Sequence, residues 1–168
     1  MTAERDPFRN PFPEADSDRR AIWEMLVPRD ITAWTTADWD MVAEDFVKGD
    51  FTGVSGNFQA DPQGYTFAFP TLEAYKREWL RQAHEYLADK AAGKFAEDVA
   101  PHIFAATRLE EIEIDGDAAL VRKKFDGRLP KADGSFDRMN WQTLYICRRE
   151  EGRWKIAGFV GYLPHIKE

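Results

Sequence analysis

The sequence predicts an α+β fold in which helices cover one face of a curved antiparallel sheet. Three observations carry that expectation. Apolar residues recur at helical spacing over about Ser17–Thr36 and again after Thr71. After about Ala105 the texture changes to four alternating segments joined by short polar turns. The order is therefore helix, short helix, strand, long helix, then four strands, which segregates the helices from the sheet. The 168 residues are expected as one domain, with an extended or disordered arm over 1–16 and the domain over 17–168.

The arm holds three prolines and alternates charge with Phe. Ser17 is the expected N-cap of the first helix. Pro28 interrupts that helix, so a kink or break is expected there. DWDMVAEDF, with Met41, Val42 and Phe46 apolar, predicts a short helix over Trp39–Val47. FTGVSG (Phe51–Gly56) reads as a strand, and a loop rich in Gly, Pro and Gln follows. Thr71 caps the long helix, which puts Leu72, Tyr75, Trp79, Ala83, Tyr86 and Leu87 on one face. ATRLEEIEI, ALVRKKFDGRL, NWQTLYICRR and WKIAGFVGYL are the four strands. They are separated by Asp115-Gly116-Asp117, by a loop containing Asp133-Gly134, and by Glu150–Gly152.

Two ionisable residues stand where apolar ones are expected. Side chains alternate across a strand, so Ala119, Val121, Lys123 and Phe125 share one face of ALVRKKFDGRL. That face is apolar except for Lys123. On the first helix, at about 100° per residue from Ile22, the apolar residues span an arc of roughly 0–180°. Asp30 falls near 80°, inside that arc, while Glu24, Thr32 and Thr35 lie outside it. An unpaired buried carboxylate is costly, so Asp30 must be paired, hydrogen-bonded or neutralised. Lys123 is its candidate partner. The pair reads either as a binding or catalytic couple or as a buried salt bridge, with the lysine alternatively snorkelling to the rim.

TTADWDMVAEDFVKGDFTGVSG (Thr35–Gly56), DGDAALVRKKFDG and REEGRWKIAGF together resemble the nuclear transport factor 2-like superfamily, over about residues 17–163. The resemblance implies a cone-shaped, cystatin-like curved sheet wrapped around a long N-terminal helix. The superfamily includes SnoaL-type polyketide cyclases, ketosteroid isomerase and scytalone dehydratase. It implies a pocket between helix and sheet into which both Asp30 and Lys123 face. In the isomerase a tyrosine that helps form the oxyanion hole aligns at Asp30. The isomerase's general base falls near Val54–Ser55, and a catalytic acid near Gln142–Thr143. None of these four residues is acidic here, which argues against ketosteroid isomerase activity.

The function expected is small-molecule binding of the SnoaL-like kind, with cofactor-independent acid–base chemistry such as isomerisation, dehydration or cyclisation. Asp30 and Lys123 are the candidate catalytic residues. Trp34, Trp141, Thr143, Tyr145, His102 and Phe125 are the candidate ligand-binding residues, and their aromatic character points to an apolar or aromatic ligand. Trp141 and Tyr145 also read as plain core, and His102 as a loop histidine at the sheet's edge. The alternatives are a non-catalytic homodimeric module, and a scaffold for a peptide or partner protein of the kind the transport factor itself binds. Homodimerisation is expected through the outer sheet face, where Leu144 and Ile146 lie opposite Tyr145.

Other classes are excluded or disfavoured. A net charge of −7 argues against nucleic acid, whose phosphates require clustered Lys and Arg. No phosphate-binding, nucleophile-elbow, H-E-x-x-H or C-x-x-C motif occurs, and the three histidines lack metal-ligand spacing, so neither metal nor cofactor is expected. Cys147 is the single cysteine and permits no internal disulfide. MTAERDPFRNPFPEADSD has no apolar run of signal-peptide length, and no window reaches the ~20 apolar residues of a membrane helix. A cytoplasmic protein is the expectation.

Overall fold

The computed structural model describes residues 4–165. Helix α1 spans Ser17–Glu24, a π-helical turn Met25–Arg29, and helix α2 Asp30–Thr36. The first cap is Asp16 rather than Ser17: its carboxylate accepts from the Arg19 amide at 3.2 Å. A side-chain oxygen at that position satisfies an amide that has no partner within the helix. Pro28 widens the helix instead of breaking it. Proline has no amide hydrogen, and its ring crowds the carbonyl four residues back. The chain accommodates both through the π turn.

After Ala37, in the left-handed region, the expected short helix is two 3-10 turns, Trp39–Met41 and Ala43–Asp45. Strand β1 spans Thr52–Ser55, and β2, Thr66–Phe69, lies where the sequence suggested only loop. Helix α3 spans Leu72–Ala91, with Thr71 capping it through a 3.2 Å bond from the Ala74 amide. A short helix α4, Ala100–Ala106, precedes β3 (Thr107–Asp115). Strands β4 (Ala118–Pro130), β5 (Phe136–Glu150) and β6 (Arg153–Leu163) complete the chain.

The sheet order is β2-β1-β6-β5-β4-β3. The four long strands form the expected antiparallel meander, but the sheet as a whole is mixed, because β1 runs parallel to β6. Strand β1 follows the segment that leaves the 3-10 turns. That segment is already aligned with β6 by a parallel bridge between Phe46 and Ile156. Gly158 makes the contact possible: a Cβ there would lie 2.5 Å from the Thr52 carbonyl oxygen.

The helices pack into the concave face. Ile22, Leu26, Val27 and Ile31 from the first helical run, Trp79 and Ala83 from α3, and Val121, Cys147 and Ile156 from the sheet are buried there. Asp45, 1% exposed, is clamped within this core. Its Oδ2 accepts from Arg29 Nε at 2.6 Å, and its Oδ1 from Arg29 at 2.7 Å and Arg153 at 2.7 Å. One carboxylate thereby ties the π turn, the second 3-10 turn and β6 together. The arm segment 4–16 is packed rather than loose. Arg5 donates to the Thr107 and Ala105 carbonyls at 2.6 and 2.7 Å, and the Phe8 ring centroid lies 5.0 Å from that of Phe104.

Gly158→Ala is expected to cost about 1–3 kcal/mol, the usual range for overpacking, because the new methyl group meets backbone that cannot yield. Urea unfolding followed by circular dichroism measures it, and an unchanged midpoint would contradict the β1–β6 contact.

Candidate functional site

The helices do not fill the concave face. Part of it is filled by an aromatic cluster: Tyr75 packs against Trp39, Phe46, Phe51, Phe69 and Phe159 at centroid distances of 4.9–6.4 Å. Beside this cluster a cavity of about 290 Å³ remains, bounded by α2, α3 and the inner faces of β4, β5 and β6.

Lys123 and Asp30 meet at its wall. Lys123 Nζ lies 3.0 Å from Asp30 Oδ2, and it also donates to the Leu26 carbonyl. The second contact depends on Pro28. At the end of the π turn the Asp30 amide donates to Val27 rather than to Leu26 four residues back. The Leu26 carbonyl accepts the lysine. The two partners are unequally buried. The lysine side chain is 1% exposed and the aspartate 33%. Asp30 Oδ1 has no hydrogen-bond partner among the described residues.

Tyr145 from β5 and Tyr75 from α3 line the same cavity. Burial raises both phenol pKa values well above the ordinary range, and the charge of Asp30 adds to the effect. Both therefore remain neutral hydroxyls at physiological pH. Cys147, deeper on β5, is pushed up to about 12 by burial and stays a thiol.

Of the sequence-predicted residues, Asp30, Lys123, Trp34, Phe125, Trp141, Thr143 and Tyr145 line this cavity together. The Phe125 and Trp141 rings pack at 4.9 Å, and Trp34 stacks on Tyr86 at 5.0 Å. His102 does not join them. It lies on α4, outside the cavity lining, with Nε2 2.8 Å from Glu97 Oε1. Its helix turns it to the surface, where a loop had been expected.

The sequence reading missed Tyr75 and Glu78 of α3 and Tyr162 of β6 as cavity residues. Tyr75 and Glu78 sit one turn apart, so the helical face that signalled core for Tyr75 also carried the wall. For Tyr162 no such signal existed. Its φ of +52° follows from contacts with loop residue Phe58, whose amide donates to the Tyr162 carbonyl at 2.7 Å.

The fold has relatives among solved structures. An NTF2-like protein with a cystatin-like fold from Novosphingobium aromaticivorans matches at a TM-score of 0.52, with 14% identity over 88% of this chain and 81% of its own. The chain has the nuclear transport factor 2-like fold. An NTF2-like protein of unknown function from Pseudomonas putida KT2440 matches at 0.50, with 17% identity over 88% and 87%. A conserved protein from Planctomyces limnophilus matches at 0.53, with 16% identity over 87% and 94%. No protein-family model matches the sequence, and a search of curated proteins finds no match. Among the described residues no helix is long and apolar enough to cross a membrane.

The unequal burial sets the outcome of substitution. Asp30→Leu leaves a buried ammonium short of an acceptor and is expected to cost about 3–5 kcal/mol. Lys123→Met leaves a carboxylate that water reaches, and costs less. The double substitution restores most of the wild-type stability. Thermal unfolding of the three variants gives the ranking, and a double variant less stable than Asp30→Leu alone would refute the pairing.

Proposed function

We propose that this nuclear transport factor 2-like protein binds a small apolar or aromatic molecule in the cavity and exchanges a proton with it through Asp30. One observation carries this reading. A carboxylate in the wall of an aromatic-rich cavity is held through one oxygen by a buried lysine, while its other oxygen has no hydrogen-bond partner among the described residues. Lys123 is the positioning residue: it fixes Oδ2 and leaves Oδ1 to the ligand. Partial desolvation strengthens any proton transfer or hydrogen bond made there. Tyr75 and Tyr145, neutral and facing the same space, supply hydroxyl donors for an oxygen on the ligand that gains charge as the proton leaves. Isomerisation, dehydration and cyclisation all begin with such a transfer and need no cofactor. The lone Cys147 suits a reducing compartment, and we assign the protein to the cytoplasm.

The bicyclic ketone 2-tetralone tests the reading, because its α C–H exchanges slowly without a base. In deuterated buffer the protein is expected to accelerate that exchange, and Asp30→Asn to slow it roughly 100-fold, the usual loss on removing a general base. Proton NMR measures both. Binding of the ketone without acceleration would reduce the protein to a binding module. Absence of binding, with Thr143→Phe inert as well, would remove the cavity from function.

The outer sheet face supports a second proposal, a two-fold homodimer. Leu120 and Ile146 face each other across β4 and β5, each 45% exposed, and Leu144 pairs with Val160 beside them. At the rim Glu111 meets Arg122 at 3.3 Å and Lys124 at 2.5 Å. An apolar centre with both charge signs around it is complementary to a rotated copy of itself. Ile146→Glu is expected to convert a dimer to a monomer in light scattering. A monomeric wild type would dismiss this interface.

A further inference from the structure

We infer that the ligand is an organic base, an amine whose cationic N–H docks on Asp30 Oδ1 while its ring system lies among the aromatic walls. The inference rests on the reading of this cavity as a binding site and names the class of molecule it takes; the proton shared with Asp30 is then the one on the ligand's nitrogen.

The charges a ligand meets are not those a count of the wall suggests. Among the described residues the cavity is lined by two carboxylates, Asp30 and Glu78, and one cation, Lys123. Glu78 is already occupied: both of its oxygens accept from Arg81, at 2.7 and 2.9 Å, and one also from Gln82 at 3.0 Å. Lys123 is occupied too, and at 1% exposure it presents almost nothing to the space. Asp30 remains, a third exposed, with one oxygen unpartnered. The accessible ionic surface of the cavity is therefore negative, although the Asp30–Lys123 pair is neutral as a whole.

The walls favour the same class. Nine of the nineteen lining residues are aromatic, Trp34, Tyr75, Phe125, Trp141 and Tyr145 among them. Aromatic faces carry negative potential and attract a cation within about 6 Å, most strongly in a desolvated site. The neutral phenols of Tyr75 and Tyr145 leave Asp30 as the single anion with a free oxygen. An N–H bonded to Oδ1 makes a charge-assisted hydrogen bond, roughly twice as strong as a neutral one. A ligand carboxylate in the same place meets repulsion with no accessible cation to offset it. The chain's net charge of −7 also favours the approach of cations over anions.

Three ligands on one ring system separate the terms: 2-aminotetralin, cationic at pH 7; 2-tetralol, neutral; and tetralin-2-carboxylate, anionic. Isothermal titration of the wild type is expected to rank the amine at least tenfold tighter than the alcohol, with the carboxylate weakest. Asp30→Asn keeps the shape and removes the charge. It is expected to lower the amine's affinity at least tenfold and to remove most of its advantage over the alcohol, while circular dichroism of the variant reports that the fold is kept. The wild-type ranking stands by itself if that variant fails to fold. Equal binding of amine and alcohol, or tighter binding of the carboxylate, overturns the inference while the cavity reading survives. Failure of all three ligands where 2-tetralone binds overturns it as well. Failure of all four removes both readings together.

Discussion

The structure depends on one buried ammonium. Lys123 projects from the middle of β4 into the concave face, where an ion without partners costs several kcal/mol in lost hydration. The helical run opposite supplies two acceptors, the Leu26 carbonyl and the Asp30 carboxylate. That arrangement begins with Pro28. A regular α-helix commits each carbonyl to the amide four residues on. Proline rules out such regularity, the helix widens into a π turn, and the Asp30 amide bonds to Val27 instead. The depth at which the helix sits over the sheet is then set by a polar contact as well as by side-chain volume.

A second polar contact lies next to the first on the same turn. Arg29, adjacent to Asp30, holds the buried Asp45 together with Arg153 of β6. The helix is thereby pinned to β4 through residue 30 and to β6 through residue 29. Tyr75 and its aromatic neighbours fill the space near the 3-10 turns. Between these fixed points the cavity persists because its walls cannot collapse inward: close-packed rings and tethered backbone relax only partially into empty volume.

Much of this was legible in the sequence, and the reasons are local. Strand parity placed Lys123 inward, and β4 and β5 pair without interruption from Ala118↔Arg148 to Pro130↔Phe136, so no bulge reversed it. The register shifts fall between β5 and β6, between β1 and β2, and between β3 and β4 at Arg108/Glu111, where the extra residue lies on β3 and leaves the alternation of β4 intact. The helical arc placed Asp30 inward because the π turn disturbs the phase only slightly. Non-local pairing was not legible. Strand β2 has only four residues inside a segment of turn formers, and its partner β1 is stabilised by parallel contact with a strand a hundred residues later. His102 was misplaced because α4 is a single short helix held by tertiary contact. Tyr162 entered the cavity through a backbone conformation that no residue pattern announces.

Asp30 and Asp45 show how a structural carboxylate differs from an available one in the same neighbourhood. Both are gripped by a side chain from the sheet, Arg153 for Asp45 and Lys123 for Asp30, and Arg29, which also holds Asp45, is the residue next to Asp30. Asp45 has both oxygens occupied, by three hydrogen bonds from two guanidinium groups, and is 1% exposed. Nothing further can bind to it without breaking what holds the fold. Asp30 has one oxygen spent on a buried cation and one without a hydrogen-bond partner among the described residues, in the wall of an aromatic-lined cavity. The first arrangement exhausts the charge, whereas the second leaves part of it available, because the partner that neutralises Asp30 is itself almost wholly buried. Under the proposed reading, a ligand entering there would meet the less compensated side of an ion pair, and that side, more than the cavity's size or apolarity, would set what the protein accepts.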